Sequence, residues 1–148
     1  MSENSIASFM AYAQAFEIGF ATRNWQVVGD LFADNITWIT DGPKAPVGGT
    51  HVGREAVVEG IRQSVDGLDR RFDIRKPEAT SPPVSFASGI YLPWKITYTR
   101  SGLPPFTLIG EEWDIFCDGK MVLHYERFQN FGEMSAFMEN HNDSLLPL

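Results

Sequence analysis

Positive charge, cysteine and long apolar runs are all scarce in this chain. Twelve Lys and Arg residues stand against nineteen Asp and Glu, for a formal net charge of −7, and the largest basic cluster is the pair Arg70 and Arg71. So sparse a cationic surface argues against partners that present phosphate, whether nucleic acid or an anionic membrane. The single cysteine, Cys117, cannot form an internal disulfide, and no base lies near it in sequence to activate the thiol. The first thirty residues lack the basic start and continuous apolar stretch of a signal peptide, so the expected compartment is cytoplasmic. No apolar run approaches the ~20 residues needed to cross a bilayer. Also missing are a G-x-S-x-G elbow, a P-loop and a dinucleotide fingerprint. His51, in a glycine-rich stretch, and His141, near the end, have no partners at metal-ligand spacing, so no metal is expected.

What the chain does contain is apolar patterning sufficient for one core. Its 148 residues are 43% hydrophobic and 13% aromatic, enough for a single domain over 1–148 and too few for two. Ile6, Phe9, Met10, Ala13, Phe16 and Phe20 recur at helical spacing and predict a helix over Ser5–Thr22, capped by Asn4 or Ser5. Asn24 caps a second, whose inward residues are Trp25, Val28, Leu31 and Phe32. A strand carrying Ile36, Trp38 and Thr40 then runs to the breaker Asp41-Gly42-Pro43, and 42–53 reads as loop. Val57, Val58, Ile61 and Val65 mark a third helix from Arg54. Phe72 and Ile74 alternate as a half-buried strand that stops at Pro77. Three longer strands follow, over 90–99, 106–116 and 120–131, and Met134, Phe137 and Met138 suggest a brief terminal helix. Helices first and an antiparallel meander after them predict an α+β fold, a curved sheet with three N-terminal helices across its concave face. Such a cone leaves an interior suited to a small apolar ligand.

Asp118-Gly119 is a two-residue hairpin signal, and such a turn fixes the register of both strands leaving it. Counting from Cys117 opposite Lys120, Trp113 faces His124, Glu111 faces Glu126 and Ile109 faces Phe128, all on one side of the sheet. Glu112, Asp114 and Arg127 then fall on the other side, where their mixed signs neutralise one another. Two carboxylates opposed in an apolar pocket cannot both stay ionised, and a neutral acid beside an ionised one suits acid/base chemistry. His124 would share the proton. The alternatives are a solvated face, or neutralisation of Glu111 by Lys95 from the next strand. Lys95 itself is placed outward by its apolar neighbours Trp94 and Ile96 unless a bulge intervenes. Trp38, Trp94 and Trp113 would either line a cavity or fill it.

The stretches LFADNITW (31–38), GTHVGREAVVEGI (49–61) and FCDGKMVLHYERF (116–128) occur in an order and spacing that resemble the nuclear transport factor 2-like superfamily. The resemblance is to its SnoaL-like polyketide cyclase branch, with ketosteroid isomerase and limonene epoxide hydrolase as relatives. It implies a cone-shaped, cystatin-like α+β fold, a homodimer packed through the sheet, and a pocket that needs no cofactor. Within it, Glu111 matches the isomerase's protonated oxyanion-hole acid and Glu126 a catalytic aspartate of the epoxide hydrolase. Phe16 stands at the isomerase's oxyanion tyrosine and Thr40 at its base, a place Asp41 reaches only by a one-residue slip. Lys95 and Thr97 stand at the Arg and Asp of the hydrolase, so neither catalytic set is complete.

Two functions of different kinds follow. In the first, the chain is a cofactor-independent acid/base enzyme of isomerase, cyclase, dehydratase or hydrolase type acting on a small hydrophobic molecule. Glu111, Glu126, His124 and Asp41 would be its catalytic residues, and Phe16, Trp38, Trp113, Ile109, Phe128 and Lys95 would line its pocket. In the second, the same pocket binds without reacting, in a ligand-binding or dimerisation module. A subunit of a larger oxygenase is a third reading, which a well-behaved isolated homodimer would oppose.

Overall fold

The structure, a computed structural model, describes residues 4–41 and 49–148. Helix α1 spans Ser5–Thr22, and Asn4 caps it by accepting the Ala7 N–H at 3.1 Å. Its buried face is Ser5, Phe9, Tyr12, Ala15 and Gly19, rotated from the expected stripe, and Ile6 and Met10 are exposed. The helix is apolar on several sides, so periodicity alone did not select the inward one. Gly19 lets the Trp25 ring cross close, since a Cβ there would lie 2.7 Å from it. The second helix, α2, is only Gln26–Gly29. Phe32, expected on that helix, instead opens strand β1 (Phe32–Asp41).

Strand β2 (Gly49–Val52) pairs antiparallel with β1, in a stretch expected to be loop. The expected loop residues 42–48 lie outside the described residues. After α3 (Arg54–Gly67) and a turn at Asp69–Arg71 comes β3 (Ile74–Ala79), which continues through Pro77 because it is the sheet's edge and needs no inward donor there. Phe72 precedes the strand and is buried, whereas Ile74 is exposed and Arg75 turns inward. The chain bends at Phe72 and Asp73, where the Asp73 carboxylate accepts the Ser101 N–H at 2.7 Å, and the bend resets the alternation between Phe72 and Ile74.

The remaining strands are β4 (Val84–Phe86), β5 (Gly89–Thr99), β6 (Phe106–Cys117) and β7 (Lys120–Phe128), followed by α4 (Phe131–Asn140). The sheet runs β2-β1-β7-β6-β5-β3, with β4 also on β5. It is curved, unclosed and mixed, because β1 lies parallel to β7. Helix α1 packs on β5 and β6, and α3 on β1 and β2. One core cluster gathers Phe9, Trp25, Val28, Phe32 and Val57, and another Leu68, Phe72, Tyr98, Met134 and Leu145 of the C-terminal tail.

The Asp118-Gly119 turn forms as expected, with φ of 51° and 75° at its two residues, and Cys117 faces Lys120. The register then slips. Phe116 pairs with Met121 but Ile115 pairs with Leu123, leaving Val122 as the extra residue of a β-bulge. Beyond it Asp114 faces His124, Glu112 faces Glu126, and Glu111 faces Arg127. The expected pairing of Glu111 with Glu126 is therefore corrected: one inserted residue exchanges the two faces of β6 relative to β7.

On the inward face of β6, Gly110 leaves room for Trp94, whose ring would lie 2.5 Å from a Cβ at that position. The Arg127 carbonyl, 3.0 Å away, blocks retreat on the other side. Gly110→Ala should therefore cost about 1–3 kcal/mol through overpacking. That corresponds to a thermal midpoint lowered by about 2–4 °C per kcal/mol. An unchanged midpoint by circular dichroism would show that the indole moves freely aside.

Candidate functional site

The helices and the concave sheet face enclose a cavity of about 400 Å³. Its walls are aromatic and aliphatic: Phe9, Tyr12 and Phe16 from α1, Trp38 from β1, Trp94 and Tyr98 from β5, and Phe128 from β7. Its charged side chains fall in two groups, carried by strands, helix α1 and the turn after α3. Glu112 on β6 with His124 and Glu126 on β7 form the first; Arg75 on β3, with Asp69, Glu17 and Tyr98, forms the second.

The first group is layered. Asp114, fully buried beneath the cavity, contacts His124 Nδ1 through Oδ1 at very short range. His124 Nδ1 also lies 3.4 Å from Glu112 Oε2, and its Nε2 lies 3.0 Å from Glu126 Oε1. The other oxygen of Glu126 accepts from the Trp38 indole N–H at 3.3 Å and the Thr40 hydroxyl at 3.4 Å. Burial opposes charge on His124, but Asp114, Tyr12 and Glu126 outweigh it and raise the imidazole pKa well above its ordinary value. Burial likewise pushes Glu126 upward, and here the His124 charge and the three hydrogen bonds prevail, so its pKa is lowered.

Glu112 behaves oppositely. Burial and the Asp114 charge raise its pKa well above the carboxylate range, with His124 only partly opposing them. Glu112 Oε2 and Asp114 Oδ2 are both buried without a donor, so ionising Glu112 would set a further unpaired anionic oxygen beside Asp114. Glu112, with its pKa raised, and Glu126, with its pKa lowered, thus stand at the two nitrogens of His124, whereas the sequence pattern predicts Glu111 against Glu126. Burial also raises the Tyr12 hydroxyl pKa, keeping it a donor, and its ring lies 5.7 Å from that of His124.

Glu112, Asp114 and His124 also place candidate ligand atoms within 4.8 Å of one another, the one such set among the described residues. His124 Nδ1 is in close contact with Asp114 within this set.

In the second group, Asp69 Oδ1 accepts from Arg75 Nε at 2.9 Å and from the Tyr98 hydroxyl at 2.8 Å. Arg75 Nη1 donates to both oxygens of Glu17, at 2.9 and 3.2 Å, and its guanidinium lies over the rings of Phe16 and Phe20. Burial raises the Asp69 pKa against the pull of Arg75 and Tyr98.

Of the residues expected at the site, His124, Glu126, Phe16, Trp38 and Phe128 line the cavity. The others face away from it. Glu111 accepts from the Tyr91 hydroxyl at 2.7 Å on the outer face, where Trp113 lies between Tyr91 and Tyr125. Ile109 is exposed, and Lys95 lies 3.9 Å from Glu78. Asp41 is exposed at the end of β1, accepting from Tyr125 at 3.4 Å, while its neighbour Thr40 turns inward. The bulge accounts for Glu111, Ile109 and Trp113; strand alternation accounts for Lys95 and Asp41. Tyr12, Asp69, Arg75, Glu112 and Asp114 were missed as site residues. Tyr12 alone had a signal, since it lies one helical turn before Phe16.

No family model and no curated protein matches this chain. Solved structures do. A candidate isomerase from Rhodopseudomonas palustris superposes with a TM-score of 0.72 at 20% identity, covering 94% of this chain and 99% of that one. A nuclear transport factor 2-like protein of unknown function from Burkholderia pseudomallei gives 0.70 at 17%, covering 90% and 96%. TerC, crystallised with polyporic acid, gives 0.66 at 14%, covering 90% and 97%. Others are described as nuclear transport factor 2-like or ketosteroid isomerase-like in fold. The chain has the nuclear transport factor 2-like fold.

Folding raises the pKa of His124 above its ordinary 6.5, so the stability it contributes is whole below that value and is lost as pH rises through the folded pKa. Raised Glu112 acts in the same sense, from its ordinary 4.5 upward, and lowered Glu126 in the opposite sense as pH falls. The thermal midpoint should therefore decline from neutral into alkaline pH, and His124→Gln should flatten that decline. An equal decline in wild type and variant would refute the assignment of charge to His124.

Proposed function

We propose that this chain is a cofactor-independent acid/base enzyme that moves a proton within a small hydrophobic carbonyl compound held in the cavity. The observation that supports this reading is a pair of carboxyls on opposite strand positions inside an apolar enclosure, Glu112 with its pKa raised by burial and the Asp114 charge, and Glu126 with its pKa lowered by the His124 charge and its hydrogen bonds. Glu112 and the Tyr12 hydroxyl would donate hydrogen bonds to the substrate oxygen. Glu126 would take a proton from the carbon next to the carbonyl. The C–H electron pair then moves to form the enolate C=C, and the carbonyl π pair moves to oxygen. In a β,γ-unsaturated ketone the proton then returns to the γ carbon: the oxygen pair re-forms C=O, the enolate C=C pair becomes the α,β double bond, and the former β,γ π pair takes the proton, which completes an isomerisation. His124, held by Asp114, would act as the positioning cation that steadies both Glu126 and the enolate.

A second reading, a binding module without catalysis, is favoured by one feature. Glu126 is engaged by His124, Trp38 and Thr40 and its pKa is lowered, which makes it a weak base. The homodimer implied by the resemblance would bury the outer sheet face of Tyr91, Trp113 and Tyr125.

The two readings separate on a simple assay, the conversion of 3-cyclohexenone to its conjugated isomer, followed by the rise in enone absorbance. Catalysis predicts turnover, with Glu112→Leu lowering kcat by about 10²- to 10³-fold at little change in KM. Glu126→Gln should lower it by about 10²- to 10⁴-fold. Binding alone predicts no turnover in any form, with both substitutions altering affinity only.

A further inference from the structure

The charges lining the cavity restrict what can enter it. Two cationic side chains lie there among the described residues, and each is already matched by two carboxylates. Arg75 is engaged by Asp69 and Glu17, and His124 by Asp114 and Glu126. An anionic ligand would find no uncompensated positive charge, and would have to leave water to sit among carboxyl groups. Hydrogen-bond donors are nonetheless present. Burial keeps Tyr12 protonated, and Glu112 supplies a neutral O–H. Arg75 directs Nε and Nη1 to its carboxylate partners, and among the described residues Nη2 makes no hydrogen bond. That nitrogen belongs to a side chain only 8% exposed that lines the cavity.

We infer that the ligand is an uncharged ring compound with an acceptor oxygen at each end, one meeting Glu112 and Tyr12 and the other meeting Arg75 Nη2, and that carboxylates are excluded. Between these two ends the wall is apolar, formed by Leu92, Trp94, Ile96, Leu108 and Phe128. The sheet order places β5 between β6, which carries Glu112, and β3, which carries Arg75, so the two donors reach the cavity from different sides. Both groups line the same cavity of about 400 Å³, so one small molecule can meet both. Arg75 thereby becomes a specificity-determining residue. The inference rests on the proposed use of this cavity for a neutral carbonyl compound, and it adds the charge and the second polar end of that compound.

Three probes of nearly one shape test it: 2-acetylnaphthalene, neutral with one acceptor; 6-methoxy-2-acetylnaphthalene, neutral with two; and 2-naphthoate, an anion. Trp38 and Trp94 line the cavity, so quenching of intrinsic fluorescence at pH 7.5 reports binding to the intact protein, with calorimetry as a check. The expected order is the methoxy ketone first, the ketone about tenfold weaker, and naphthoate weaker than the ketone by about tenfold or more. Arg75→Met should erase the advantage of the methoxy group. Glu17→Gln, at a side chain 53% exposed and so tolerant of change, should raise naphthoate affinity several-fold relative to the ketone. Naphthoate binding as tightly as the ketone overturns the inference while the cavity remains a hydrophobic site. So does a Glu17→Gln protein that discriminates like wild type. Failure of all three probes to bind overturns the inference together with the proposed function.

Discussion

The contact between Asp114 and His124 is the constraint from which the chemistry of the cavity follows. A carboxylate with no exposure to solvent is among the most costly groups to bury, and it persists only where a cation or a proton is delivered to it. His124 delivers one through Nδ1. Fixing that nitrogen turns Nε2 toward Glu126, whose second oxygen is steadied by Trp38 and Thr40. Glu112, the last carboxyl brought into the group, meets a site whose positive charge is already taken, and it keeps its proton. One buried ion pair thus shifts its neighbours in opposite senses, with the pKa of Glu112 raised and that of Glu126 lowered.

The same logic recurs at Arg75. Its guanidinium is buried against Phe16 and Phe20 and is held by Asp69 and Glu17. Each cation is compensated twice, and the walls between them are aromatic. The cavity therefore offers directed donors without net positive charge, an environment suited to carbonyl and hydroxyl oxygens. Similar solved structures give the fold; the reading of the site comes from these side chains.

Much of the scaffold was legible in the sequence. Helix α1 was delimited by apolar recurrence and the Asn4 cap, α3 by its valines, and the hairpin by Asp118-Gly119. The site was half legible. His124 and Glu126 were placed correctly on the inner face of β7, but the extra residue at Val122 supplied the wrong face of β6. Nothing in the valine itself announces a bulge, because the competing register is decided by long-range packing: the inward set Leu108, Gly110, Glu112, Asp114 and Phe116 fits beneath α1, with Gly110 accommodating Trp94. Arg75 was illegible for a related reason, since the turn at Asp73 reset an alternation that began at Phe72. Both misses come from one residue added or subtracted in a period-two pattern, where the smallest slip exchanges inside for outside.

The central claim is that Glu112 remains a neutral carboxylic acid at neutral pH beside an ionised Glu126. Infrared spectroscopy of the folded protein tests it directly, because a protonated carboxyl has a C=O stretching band distinct from those of carboxylates. The account predicts such a band at pH 7, shifted by ¹³C-glutamate labelling and abolished by Glu112→Gln. A spectrum in which every glutamate carboxyl is ionised at pH 7, or in which the band survives that substitution, would contradict it.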